Sequence, residues 1–100
     1  MAAFFCRLNA PRPTFAQDMS EDEARLMKEH AEYWRDGVEK GNVVAFGLVV
    51  HPDGAFGVGL TEFDDVVAAR TFTDNDPTIM SGLGFTFDVL PMPLGVVRKS

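Results

Sequence analysis

The stretch SEDEARLMKEHAEYWRDGVEKG, residues 20–41, decides how the rest of the chain is arranged. At about 100° per residue, Ala24, Met27, Ala31, Trp34 and Val38 fall on one stripe, which Leu26 and Tyr33 widen to about half the circumference. The pattern predicts one long amphipathic helix. Arg25, Lys28, Glu29, Glu32, Arg35, Asp36 and Glu39 take the opposite arc, where Glu21 with Arg25 and Asp36 with Lys40 stand as favourable i,i+4 pairs. Ser20 and Glu23 have the spacing of a capping box, each side chain reaching the other's backbone amide, and Gly41 ends the helix. Beyond the first turn, His30 is the single ionisable side chain within the apolar arc, between Met27 and Trp34.

Outward from the helix, the bulk numbers restrict what the chain can do. One hundred residues, 46% apolar and with nine Phe, make one domain that can pack a core without disulfides or metal, its body about 3–91 and its tail 92–100. A net charge of −6 and a pI near 4.7 exclude nucleic acid and anionic membrane as partners, since both demand a basic field. Cys6 is alone, within Phe4-Phe5-Cys6 and with no CxxC or neighbouring His, so it reads as a small buried hydrophobe. No basic leader and no apolar run of spanning length is present, and the chain is expected to be soluble and cytoplasmic.

Before the helix, residues 3–8 (AFFCRL) read as a strand with Phe4, Cys6 and Leu8 on one face and Phe5 and Arg7 on the other. Residues 9–18 hold two prolines and form a loop, with Arg12 and Phe15 as candidate lid contacts; a solvated charge is the simpler reading of Arg12. After the helix, Val43 to Val50 is a nearly continuous apolar run, which suits a central strand buried on both faces. His51-Pro52-Asp53-Gly54 is a turn into a third strand, Ala55 to Glu62, and His51 is an exposed turn residue.

In that third strand Phe56, Val58 and Leu60 share one face, while Gly57 and Gly59 open the other to close backbone approach or to a ligand. The GVG spacing lacks the third glycine and the phosphate-binding helix of a dinucleotide site. Asp64-Asp65 can cap a second helix over 66–74, with Val66, Ala69 and Phe72 or Thr73 inward. Asp76 before Pro77 ends it, residues 78–82 make a short turn, and 83–90 form the last strand, closed by Pro91 and Pro93. Val96 to Ser100 reads as a frayed tail.

The order β-α-β-β-α-β is that of a ferredoxin-like α+β sandwich, with both helices on one sheet face. The other face, assigned Phe5, Gly57, Gly59 and alternate residues of the second strand, then lacks a cover, and a second copy of the chain is the expected one, making a homodimer.

Several short motifs resemble the YciI-like (YCII-related) proteins: EHAEYWR at 29–35 with Gly37 behind it, Asp76-Pro77, Gly82-Leu83 and a last strand ending in Pro91. The likeness spans about residues 3–91. It implies a dimeric α+β barrel of ferredoxin-like subunits, with a His on the first helix and an Asp before Pro as a catalytic pair in a cleft. Here those are His30 and Asp76. The loop before the helix and the helix itself are longer than is usual in that family, and Thr78 stands where an aromatic is common, so the substrate is not carried over.

Three readings of His30 stay open. The first is a cofactor-independent enzyme, a lyase, an isomerase or an elimination catalyst, in which the His30–Asp76 pair moves a proton on a small organic molecule. Trp34, Gly57, Gly59 and Arg12 are then candidate pocket residues. The second is a dimeric small-ligand or regulatory module without turnover, and the third a histidine bonded for structure alone. No zinc ligand spacing, nucleophile elbow or phosphate loop is present, so neither metal nor cofactor is expected.

Overall fold

Local signals in the chain set the limits of its longest element. In the computed structural model, which describes residues 1–96, the helix α2 runs over Glu21–Lys40. Ser20 caps it with both arms of the capping box made, and Gly41 closes it at φ 96°, a left-handed turn that a side chain would strain. The expected Asp36–Lys40 pair is present at 2.9 Å, whereas Arg25 pairs with Asp22 at 3.0 Å instead of Glu21. Both pairs lie in water, where such contacts add little.

The remaining elements are β1 (Ala2–Asn9), α1 (Phe15–Asp18), β2 (Val43–Val49), β3 (Phe56–Phe63), α3 (Val66–Asp74), α4 (Pro77–Met80) and β4 (Thr86–Pro91). Their order along the chain is that of a ferredoxin-like α+β fold, and the sheet is antiparallel in the order β2-β3-β1-β4. Helix α1 occupies part of the expected loop, and the last strand starts at Thr86, not at residue 83. Gly82 and Gly84 turn the chain there at φ 71° and 97°, so residues 81–85 cannot extend. The tail expected beyond Val96 lies outside the described residues.

Register settles which side chains face the helices. Phe4, Cys6 and Leu8 of β1 stand opposite Thr61, Gly59 and Gly57 of β3, and opposite Pro91, Val89 and Phe87 of β4. Cross-strand partners share a face. Phe4, Cys6, Leu8 and Val89 are buried, so this is the helix-covered face; Phe4, Cys6 and Val89 cluster with Trp34 and Ala69, and Leu8 with Phe15 and Leu26. Gly57 and Gly59 therefore lie under the helices. This corrects the expectation that they share the uncovered face with Phe5, which carries Phe56, Val58, Leu60 and Leu90 instead.

Two further expectations change. The apolar run at 43–49 is an edge strand, not a central one, because β3 and not β2 pairs with β1; Val43 alone is buried, and Leu48 is 64% exposed. The inward stripe of α2 is also rotated. Ala24 and Val38 face water, while Leu26, Trp34 and Gly37 are buried, with Met27, His30 and Tyr33 half-buried among them. His30 is thus near the middle of the packed arc. Gly37 permits this approach: a Cβ there would come within 2.6 Å of a Val43 methyl and 3.2 Å of the Phe72 ring. In α3, Ala69 and Thr73 turn inward as expected, but Val66 is 42% exposed. Tyr33 joins α2 to α3 by stacking on Phe72 at 4.9 Å and donating its hydroxyl to the Phe72 carbonyl at 2.8 Å.

Candidate functional site

The site begins with a short helix. Asp76 is the N-cap of α4 and Pro77 is its first residue, where a missing N–H costs nothing. Asp76 Oδ1 accepts the Thr78 backbone N–H at 2.8 Å and the Thr78 hydroxyl at 2.7 Å. The second oxygen is left to face α2. Oδ2 accepts Trp34 Nε1–H at 2.6 Å and lies 2.7 Å from His30 Nδ1. Spacing along the helix makes this convergence, because residues 30 and 34 are i,i+4 neighbours on one face.

Asp76 is fully buried, and its carboxylate gathers four hydrogen-bonding groups. Burial pushes its pKa up, but the hydrogen bond and charge of His30, with the two Thr78 donors, outweigh that and hold it below the usual carboxylate range. An ionised carboxylate only accepts, so the proton between it and His30 resides on Nδ1. In the neutral ring the lone pair is then on Nε2. Nε2 makes no hydrogen bond among the described residues, and no side-chain nitrogen or oxygen is buried there without a partner.

His30 lines a cavity of about 300 Å³ between α2 and the helix-covered face of the sheet. Trp34, Phe46, Phe85 and Phe87 supply aromatic wall, and Gly57 and Gly59 supply bare backbone. Gly59 lets the indole lie on the sheet: a Cβ there would be 2.1 Å from the Trp34 ring. The same indole is held edge-on by Phe72 at 4.9 Å.

Of the residues singled out in the sequence, the structure brings together His30, Asp76, Trp34, Gly57 and Gly59, with Asp76 behind the cavity wall. Arg12 is elsewhere. It does not line the cavity; its guanidinium binds Asp18 at 2.7 Å and both Glu23 oxygens at 2.7 and 2.9 Å, with its plane 5.3 Å from Phe15. Arg12's hydrogen bond, followed by the Ser20 backbone N–H, lowers Glu23 to about 2, and Glu23 and Asp18 in turn raise Arg12. Arg12 thus ties the α1 segment to the first turn of α2. Phe15 in that segment is buried, packs on Phe85 at 5.2 Å and lines the cavity.

Two members were missed from sequence: the indole N–H of Trp34 and both donors of Thr78. The Asp-Pro-Thr run carries the signal for Thr78, since an N-cap carboxylate seeks an amide two or three residues on. Nothing in the chain's order announces the Trp34 bond across to residue 76. Elsewhere, His51 is an exposed turn residue whose Nδ1 accepts the Asp53 N–H at 3.0 Å. Cys6 is buried, and burial raises its thiol despite the contact with Thr61. Among the described residues no group of three or more His, Cys, Asp or Glu could hold a metal, and no helix is long and apolar enough to cross a membrane.

Fold and geometry define a class, a small ferredoxin-like α+β domain with an imidazole–carboxylate pair at an apolar cavity. Residues 3–93 match the YCII-related domain, and the chain belongs to that family. No curated protein matches it.

Proposed function

We propose that the protein is a cofactor-independent enzyme that moves a proton on a small organic molecule, in a lyase, isomerase or elimination reaction. One observation carries the reading: His30 lines an apolar cavity with its Nδ1 2.7 Å from a buried, ionised Asp76, and its Nε2 makes no hydrogen bond among the described residues. Nε2 takes the proton from the substrate, and the electron pair left behind forms the new double bond or shifts along the molecule. The imidazolium, stabilised by Asp76, returns the proton to another carbon or to the departing group. Asp76 is a positioning residue that holds the tautomer and the ring, and Trp34 and Thr78 hold Asp76.

Turnover assays over small protic carbon acids and halo- or hydroxy-substituted aromatics test the reading. His30→Ala is expected to lower kcat on the order of a hundredfold and Asp76→Asn somewhat less. Wild-type rates in folded His30→Ala would leave the histidine a structural role only.

The working unit in this reading is a homodimer. Phe5, Val58, Leu60 and Leu90 lie on the sheet face opposite the helices, and Leu90 is 53% exposed. A second copy laid on that face removes this apolar surface from water. Light scattering at micromolar concentration should give twice the subunit mass of 11.0 kDa, and the single mass would refute it.

A further inference from the structure

The walls of the cavity state what can enter it. Its lining side chains are aliphatic or aromatic apart from His30, and the indole N–H of Trp34 is already given to Asp76. His30 Nε2 is therefore the one side-chain nitrogen or oxygen of the lining, among the described residues, that is not already in a hydrogen bond. Among the described residues no lysine or arginine lines the cavity. Arg12, two residues from Ala10 of the lining, is held by Glu23 and Asp18, Arg7 lies over the Phe56 ring at 3.9 Å on the uncovered sheet face, and Lys28, beside Met27, is exposed. The net charge of −6 adds no attraction for an anion.

A carboxylate or phosphate entering this space would lose its hydration with only the His30 ring to replace it, and any positive charge on that ring is already matched by Asp76 at 2.7 Å. A neutral molecule with one hydroxyl loses little, provided that the hydroxyl reaches Nε2, the lone-pair nitrogen. At the packing density of protein interiors, about 0.74, a cavity of about 300 Å³ encloses about 220 Å³ of molecule, on the order of a dozen non-hydrogen atoms. Trp34 on one side and Phe15, Phe46, Phe85 and Phe87 around it favour a flat shape.

We infer that the cavity takes a neutral, flat, largely apolar molecule of one or two rings, whose single hydroxyl donates to His30 Nε2, and that it rejects carboxylates and phosphates. The inference rests on the proton-transfer reading of His30, because the same lone pair that would act as the base anchors the ligand.

Three probes of one shape separate the terms: 2-naphthol, its methyl ether and 2-naphthoate, titrated at neutral pH by calorimetry and by nitrogen-15 NMR of the histidine rings. The expected order is naphthol first, the ether about tenfold weaker because it lacks the donor, and naphthoate weaker than the ether because its charge is desolvated unpaired. The His30 Nε2 signal should move with naphthol and not with the ether. Naphthoate binding as well as naphthol, or no binding by any probe at millimolar concentration, overturns the inference. Naphthol binding without turnover of any hydroxyaromatic keeps the ligand class and removes the enzyme reading. Turnover of an anionic substrate through His30 keeps the enzyme reading and removes the ligand class.

Discussion

Replacing Gly59 by alanine adds one methyl group where the indole of Trp34 now lies on the sheet. The new Cβ would sit 2.1, 2.6 and 2.9 Å from three atoms of that ring, against an optimal carbon–carbon separation of about 3.5–4.0 Å. The ring must retreat by more than about 1 Å. It has nowhere to go without loss, because Phe72 meets it at 4.9 Å, Phe87 at 5.8 Å, and Asp76 holds its N–H at 2.6 Å. Overpacking of this kind costs about 1–3 kcal/mol, and losing a hydrogen bond to a charged group about 1.5–3. Part of the strain is what breaks the bond, so the two together come to about 3–5 kcal/mol. For a domain of this size that lowers Tm by about 12 °C or more.

Gly57→Ala is the control. Its nearest neighbour would be Leu8 Cβ at 3.2 Å, an overlap of a few tenths of an ångström on an aliphatic side chain. The loss of about 0.4–1 kcal/mol of chain freedom in the unfolded state offsets most of that, and the change should be under about 1 kcal/mol. Denaturant unfolding compares the two variants. Trp34 is the only tryptophan, so its single indole N–H resonance reports the bond to Asp76 without ambiguity. Gly59→Ala within about 0.5 kcal/mol of wild type, or an unmoved indole signal, would refute the packing argument for the site.

Asp76→Asn presents an amide to donors that now meet a buried carboxylate and should cost about 3–5 kcal/mol at neutral pH. Because burial is outweighed and the folded Asp76 pKa is lowered, its stabilisation is complete above the ordinary carboxylate value of 3.8 and is lost as pH falls through the folded value. The stability gap between wild type and Asp76→Asn should therefore close only below that range, in acid unfolding followed by circular dichroism; a gap independent of pH down to complete unfolding would contradict it. In Arg12→Ala, the Glu23 carboxyl should titrate upward from about 2 towards its ordinary 4.5, seen by carbon-13 NMR, and amide exchange should quicken over Phe15–Asp18. An unshifted Glu23 would mean that Arg12 does not hold that segment to α2.

Much of this fold is written locally. The limits of α2 follow from Ser20, Glu23 and Gly41, each acting on backbone groups within one turn. Asp65 and the Asp76-Pro77 pair set the ends of α3 and α4 in the same way, each cap accepting an amide two or three residues on. His30 could be singled out because one ionisable ring in an apolar arc demands a partner, and Asp76 could be nominated from a family resemblance. The carboxylate's other donors could not. Trp34 Nε1 reaches Asp76 across 42 residues of chain, and only the packing of α2 against α4 brings them within 2.6 Å.

What the chain determined by itself was period, caps and breaks: which residues alternate, where helices begin and stop, and that β-α-β-β-α-β is their order. Alternation places Gly57 and Gly59 together on one face, yet a period of two is silent on whether that face meets helices or water. Pairing with Cys6 and Leu8 decided it, and placed the glycines beneath Trp34. In the same way an apolar strand reads alike at the centre or the edge of a sheet, and only the pairing of β3 with β1 left β2 outside. Hydrogen bonds within a turn need no more than nearby sequence. The choice of face, the edge position and the donors around Asp76 depend on which distant segment arrives, and that is a property of the assembled sheet and helices.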